Sequence, residues 1–408
     1  MKQKILQMMF AVLVCAGARA QVNSGSNGSD GAFDPATNTV INMADHPNGI
    51  YQYTSVTISN GVTVTFIPNT ANTPVVWLVQ SNCVINGTVT LDGGGGIGAQ
   101  GGIGGVGGFS GGNGGGGGAP AGDGQGPGGG LAGFVNSELG GNASFATNGA
   151  VLTNYNGACG FNPNQPVAGQ QYGNYLLVPL IGGSGGGGTA GSGTRGGGGG
   201  GGAILIAANQ FVEINGWLSC VGGSPGYYGG GGSGGAIRIV SQEIRGYGQL
   251  DVSGGRAYFS CGQGYDNISP ASPGFIRFDS FVYLFSGSAS GVVTRGYQPI
   301  IIPQTNQIGS LTIQSVAGIL VPANPSGQIV SPDTVISGQQ TNPIPVVVHC
   351  SNLPLNTLIT LTVTPANGSS VRAIGYNTAG TGASSTATIS IAMPRGGGII
   401  YATAATGN

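Results

Sequence analysis

The stretch 201–223 reads GGAILIAANQFVEINGWLSCVGG, and its meaning emerges when it is laid over 234–255, GGAIRIVSQEIRGYGQLDVSGG. Each opens on paired glycines, runs through an alternating strand and breaks on polar residues. Each then resumes a short strand, passes one glycine and closes on a third strand and more glycines. The segment 75–95, VVWLVQSNCVINGTVTLDGGG, has the same order. Gly87, Gly216 and Gly248 mark one place in the three copies. A weaker copy, SVTISNGVTVTFIP, puts Gly61 there, and GFIRFDSFVYLFSG from Gly274 begins another. Gly61 and Gly87 are 26 residues apart, and Gly216 and Gly248 are 32 apart. Periods of this size belong to stacked repeats, in which a unit that cannot bury its apolar face alone buries it against its neighbours. Alternation assigns the faces. Ile204 and Ile206 align with Ile237 and Ile239, then with Ile276 and Phe278, as inward ladders. Arg238 and Arg277 take the outward phase. Three short strands per repeat predict an all-β chain whose residues 21–300 form a right-handed parallel β-helix. An antiparallel β-sandwich is the alternative.

A glycine-rich insertion, about 93–202, interrupts the repeat. Within it, 101–112 reads GGI-GGV-GGF-SGG. Three residues is the period of the polyproline-II helix, which has no internal hydrogen bonds and packs closely when glycine leaves room. Tracts at roughly 93–130, 182–202 and 222–236 are therefore expected to form a polyglycine-II-like bundle, with Ile103, Val106 and Phe109 facing one way. Disorder is the opposing expectation, because glycine loses the most freedom on folding, at about 1–2 kcal/mol of backbone entropy per residue. From about residue 300 the glycine runs stop, and alternating segments such as PIPVVVHCSNL and SSTATISIAM follow at short intervals. Six or seven such strands predict an immunoglobulin-like β-sandwich over 301–408.

Residues 1–20, MKQKILQMMFAVLVCAGARA, have a charged start, a short apolar run and a small-x-small end. This pattern predicts a cleaved signal peptide and hence a secreted or cell-surface chain. The apolar run is too short to span a bilayer. Both lysines, Lys2 and Lys4, lie in this segment. Past it, eight arginines stand against twelve acids, a net charge of −4. With no basic patch, nucleic acid is not an expected partner. Without a lysine after its glycines, no P-loop can form. Cys83, Cys159, Cys220, Cys261 and Cys350 are an odd set, so at least one is unpaired within the chain. None has the spacing of a zinc site, and no cofactor is expected.

The glycine tracts resemble the polyglycine-II sandwich of phage tail-fibre adhesins. The opening SDGAFDP, Ser29 to Pro35, together with INGTVTLDGGG resembles a group of uncharacterised glycine-rich secreted bacterial proteins. Neither resemblance brings a catalytic motif. The first implies recognition by loops at the tract ends and within 131–181.

Patterns that imitate catalytic motifs dissolve on inspection. G-x-S-x-G occurs around Ser110, Ser184, Ser224 and Ser233, but no helix follows, and only His46 and His349 exist as partners. A polysaccharide lyase or hydrolase would need converging carboxylates. The candidates are Asp92, Glu213, Glu243, Asp251, Asp266 and Asp279. A flat threonine ladder is not expected, because Thr63 and Thr65 lie out of phase with Thr88 and Thr90 when counted from their glycines. Aromatic rings with amides at hand suit sugars, whose apolar faces are edged by hydroxyls. Phe134, Tyr155, Tyr172, Tyr175, Trp217, Tyr227 and Tyr228 are the expected ligand-binding rings. The sequence thus points to a non-enzymatic surface or matrix protein that binds a glycan or a cell-surface receptor. A β-helical polysaccharide enzyme and a self-assembling structural protein are the rivals.

Overall fold

The computed structural model describes residues 22–116, 119–133, 139–150, 167–190, 195–226, 228–260, 266–297, 299, 309–322, 325, 332–366 and 368–405. The described chain is essentially all-β. In its first part the strands are β1 (Gly31–Phe33), β2 (Thr39–Asn42), β3 (Ile50–Ile58), β4 (Thr63–Ile67), β5 (Val75–Val79), β6 (Cys83–Ile85) and β7 (Thr88–Thr90). After the glycine-rich insertion come β8 (Ala203–Ile214), β9 (Trp217–Ser219), β10 (Ala236–Gly246) and β11 (Gln249–Asp251). Then follow β12 (Arg256–Ser260), β13 (Asp266–Pro270), β14 (Phe275–Phe285), β15 (Ser288–Ser290) and β16 (Val292–Gly296).

Two parallel sheets share all of these strands except β12 and β13, which pair antiparallel with each other. The first runs β1-β3-β5-β8-β10-β14-β16, with β6 also pairing β3 and β8; the second runs β15-β11-β9-β7-β4-β2. The chain passes from one sheet to the other at each corner, so each pair of strands adds a rung to both. The register of β8, β10 and β14 stacks Ile204 on Ile237 and Ile276, and Ile206 on Ile239 and Phe278. In the second sheet Val64, Val89, Leu218, Leu250 and Ala289 form the facing column. Both columns meet in one core. Full burial of such a side chain contributes about 1.5–3 kcal/mol. β8 pairs both β5 and β10, and β9 pairs both β7 and β11, so residues 91–202 leave and rejoin the stack between neighbouring rungs.

The corner between the sheets explains the aligned glycines. A Cβ on Gly216 would sit 1.9 Å from the Gly87 carbonyl oxygen, one on Gly248 2.3 Å from that of Gly216, and one on Gly287 2.0 Å from that of Gly248. Gly61 does not join this column. β4 pairs β7 with Thr63 opposite Thr88. The corner from Ile58 to Thr63 is therefore two residues longer than that from Ile85 to Thr88, and Gly61 turns it with φ +81°. The expectation that the threonines lie out of phase is corrected accordingly: counting from Gly61 displaced the first copy. The match still lasts only two rungs, because Trp217 and Gln249 follow in that column.

The glycine tracts are ordered by backbone hydrogen bonds with a strict period of three. Gly196, Gly199 and Gly202 donate to the carbonyls of Gly98, Gly94 and Leu91. Gly197 and Gly200 donate to Gly112 and Phe109, and Gly198 and Gly201 to Gly230 and Ser233. One tract thus serves three neighbours, two antiparallel and one parallel, each reached by every third amide. The next tract repeats the arrangement: Gly230 and Ser233 donate to Gly187 and Ser184, Gly232 and Gly235 to Gly223 and Cys220. A threefold extended chain points its amides in three directions, which is why this spacing works. The backbones approach so closely that a Cβ on Gly198 would lie 1.8 Å from the Gly223 oxygen, and one on Gly230 1.8 Å from that of Gly141.

Ile103, Val106 and Phe109 do not face one way. The tract turns at Gly107, which has φ +81°, and Gly108 donates back to Gly105. Ile103 is left in solvent, Val106 enters the core of the stack, and Phe109 lies 6.1 Å from the Tyr401 ring. Arg238 and Arg277 do point out of the stack, but not into water. Arg238 Nε lies 3.0 Å from Asp279 Oδ2 and Arg277 Nη2 lies 2.8 Å from Asp279 Oδ1, with Asp279 buried between them.

The last part of the chain forms β17 (Ser310–Val316), β18 (Ile319–Leu320), β19 (Ile344–Ser351), β20 (Leu358–Pro365), β21 (Val371–Tyr376), β22 (Ala379–Gly380), β23 (Ser384–Ile391) and β24 (Gly398–Ala405). These strands pair in two antiparallel sheets, β18-β17-β19-β23-β22 and β21-β20-β24, over a shared core of Val346, Val348 and Ile389 against Ile359, Leu361 and Val363. This unit rests on the glycine tracts. The buried Asp123 carboxylate accepts the amide of Ala132 at 2.6 Å and that of Ser370. The Tyr401 hydroxyl donates to the Gly126 carbonyl at 2.6 Å. Among the described residues no helix is long and apolar enough to cross a membrane.

Candidate functional site

The outward face of the second sheet presents a flat strip of side chains. Within each of its short strands the middle residue points inward and the flanking residues point outward, although Ser219 is buried beside Asp92. One column carries Thr63, Thr88, Trp217, Gln249 and Ser288 in register. A second carries Thr90, Ser219, Asp251 and Ser290. Neighbouring rungs lie about 4.8 Å apart. Trp217 is 43% exposed, although a large ring is usually tucked away. Thr88 stands on one side of it and Gln249 on the other. The backbone beneath is fixed: Trp217 donates its amide to the Gly87 carbonyl and Gln249 donates to that of Gly216. A rigid indole flanked by a hydroxyl and a carboxamide offers an apolar plate with polar edges.

The other expected rings scatter. Tyr175 is exposed on the loop beside β16, where its carbonyl accepts the Thr294 hydroxyl. Tyr228 turns between two glycine runs with φ +70°. Tyr172 packs against the Phe145 cluster. Its ring centroid lies 4.6 Å from that of Phe145, its hydroxyl donates to the Gly182 carbonyl at 2.6 Å, and burial pushes that hydroxyl well above its ordinary pKa. Phe134, Tyr155 and Tyr227 lie outside the described residues. The described rings therefore do not converge, and among them Trp217 alone sits on a regular surface.

The described candidate carboxylates for a hydrolase or lyase are engaged in structural contacts, Glu213 and Glu243 sharing one. Asp92 accepts the Val221 amide at 2.7 Å and meets the Ser219 hydroxyl at 3.1 Å. Asp251 accepts the Ser253 amide, and Asp279 is clamped by its two arginines. Glu213 and Glu243 flank Arg245 at 2.7 and 3.0 Å, and its guanidinium stacks on Phe211. Hydrogen bonds from Asn215 and Arg245 hold Glu213 below its ordinary pKa. The Asp266 side chain is outside the described set. Cys83, Cys220 and Cys350 are buried, unpaired thiols whose pKa burial raises, the opposite of a nucleophile's environment. Cys159 and Cys261 lie outside the described residues.

The first rung holds a feature that the sequence reading passed over. Ser29, Asp30, Asp45, His46, Pro47, Asn48, Ile50 and Gln52 line an open cavity of about 370 Å³. The carboxylates come from two stretches, one before β1 and one in the short 3-10 turn Met43–Asp45. Pairing of β1 with β3 brings them together. The signal was the density of Asp30, Asp34 and Asp45 around His46, one of only two histidines. No protein-family model, curated protein or solved structure matches this chain.

Proposed function

We propose that the chain is an exported, non-enzymatic protein of the cell surface or extracellular matrix that adheres to glycans. In this reading the two parallel sheets are the faces of a right-handed parallel β-helix, the glycine tracts form a polyglycine-II bundle beside it, and the C-terminal sheets form an immunoglobulin-like sandwich. The observation that carries the proposal is the exposed Trp217, set between Thr88 and Gln249 on a flat, regularly spaced strip. Sugar rings stack their C–H faces on such a plate and share hydrogen bonds with its edges. A repeating polymer can engage successive rungs, so weak single contacts add up through multivalency. The engagement of the described carboxylates in structural contacts supports a binding role over hydrolysis.

Co-sedimentation of the purified chain with insoluble polysaccharides and intact cells tests this, with the supernatants assayed for released sugar ends. Saturable pelleting, weakened about tenfold by Trp217→Ala (about 1.4 kcal/mol) and unaffected by Tyr376→Ala, is the expected result. Tyr376 serves as control because it is exposed on β21 of the C-terminal unit. Release of sugar ends overturns the proposal in favour of an enzyme. Pelleting without any polymer overturns it in favour of self-assembly.

A further inference from the structure

The geometry points to the cavity of the first rung as a binding site for a small organic cation with N–H donors, of the size and kind of an amino sugar. The choice of a sugar rests on the glycan reading; the requirement for positive charge does not. Asp30 is fixed in the wall: its Oδ2 accepts the Gln52 amide at 2.6 Å, and its Oδ1 lies 3.2 Å from His46 Nε2. Asp45 lines the same cavity and makes no hydrogen bond or ion pair among the described residues. From Val22 to Ala190 the described chain has no lysine or arginine, and His46 is the one basic residue among those lining the cavity. His46 commits its Nε2 to Asp30, leaving Nδ1 buried without a partner. Behind it the Tyr51 ring packs at 4.1 Å, itself 3% exposed, and its hydroxyl is also buried without a partner. Burial and then the charges of Asp45 and Asp30 push that hydroxyl up to about 12, so it stays protonated beside them.

The wall therefore has surplus negative charge, with the His46 ring in its lining and Tyr51 packed behind that ring. Among the described residues, no three His, Cys, Asp or Glu groups are placed to share a metal ion. A volume of about 370 Å³ accommodates a ring-sized body rather than a bare ion. An ammonium group on such a body relieves the charge and donates to the carboxylates. An uncharged sugar of the same shape brings hydroxyls but leaves the charge in place.

The chain supplies its own reporter. It has two histidines, His46 in the cavity wall and His349 on β19 in the C-terminal unit. Histidine-selective nitrogen-labelled NMR of the mature chain, titrated with glucosamine, should move the His46 signal saturably and leave His349 still. N-acetylglucosamine, which keeps the ring and loses the charge, should bind at least tenfold more weakly. Asp45→Asn should weaken the glucosamine response at least tenfold while the His46 signal of the free protein stays in place. An immobile His46 signal, equal responses to the two sugars, or a calcium response that glucosamine does not displace each overturns the inference. Failure here is distinguishable from failure of the glycan reading: Asp45→Asn leaves polymer pelleting through Trp217 intact, and Trp217→Ala leaves the His46 response intact.

Discussion

The two-sheet stack and the glycine bundle solve the same problem with opposite materials. In the stack, strands lie a normal sheet spacing apart, and side chains such as Trp77, Ile206 and Phe278 fill the space between the sheets. In the bundle there is almost no side chain to bury, and backbones fill the space themselves. Every third amide of a tract reaches the same neighbour. The stack is held by apolar area, which is graded, since a smaller side chain costs part of the contact. The bundle is held by hydrogen bonds between backbones in near contact, and there a single methyl group has nowhere to go. An amide left unpaired in such an interior costs about 1–3 kcal/mol, so loss at one tract spreads to its neighbours. Glycine's entropy penalty is met by geometry that other residues cannot enter.

The sharpest test of this contrast is Gly198→Ala. Its Cβ would lie 1.8 Å from the backbone oxygen of Gly223, an atom already engaged in the bundle. Overpacking against immovable backbone should cost more than about 3 kcal/mol, read as a drop in the denaturation midpoint and loss of amide protection in all contacting tracts. A midpoint shift no larger than that of a surface alanine would break the contrast. Next in size is Asp123→Ala, which removes the carboxylate that holds the Ala132 and Ser370 amides together. Hydrogen bonds to a charged group contribute about 1.5–3 kcal/mol each. The C-terminal unit should lose its docking while the stack persists, giving two thermal transitions where a single one is expected of wild type. Ile206→Val trims one methyl from the core of the stack and should cost about 1 kcal/mol, with cooperativity unchanged. The graded response of Ile206 beside the abrupt response of Gly198 is the comparison itself.

That contrast also explains what could be read from the chain. Where side chains fill the core, alternation writes the register into the sequence, and the alignment of Ile204, Ile237 and Ile276 is the pairing observed. Corner length is not written in alternation. Gly61 sits in a longer corner than Gly87, and anchoring on it displaced Thr63 from Thr88. In the bundle, a period of three foretells threefold hydrogen bonding but not where a tract turns, because any glycine can take a positive φ. Gly107 does so, and Ile103, Val106 and Phe109 part company. The candidate site was legible only at Trp217, whose place on a repeat copy fixes its face. Tyr172 stood in an irregular insertion where no period says which rings pack. The cavity of the first rung joins residues from two stretches that only β1–β3 pairing brings together.

The smallest effect probes the outer face of the stack, where charge rather than apolar area joins rungs. Glu213 on β8 accepts from Arg245 on β10 at 2.7 Å, across adjacent strands. The hydrogen bonds from Asn215 and Arg245 lower the Glu213 pKa below its unfolded value. A depressed carboxylate contributes stability at pH above its unfolded pKa and loses it as pH falls through the folded one. Wild type should therefore lose a small increment of stability between neutral pH and acid, and Glu213→Gln should lose less over the same interval. Both partners are partly exposed, so the difference should stay below about 1 kcal/mol and shrink in high salt. A Glu213→Gln profile parallel to wild type from pH 7 to pH 3 would show that charge adds nothing to the rungs. The stack would then be held by its core alone, and its contrast with the bundle would be one of side chain against backbone without an electrostatic part.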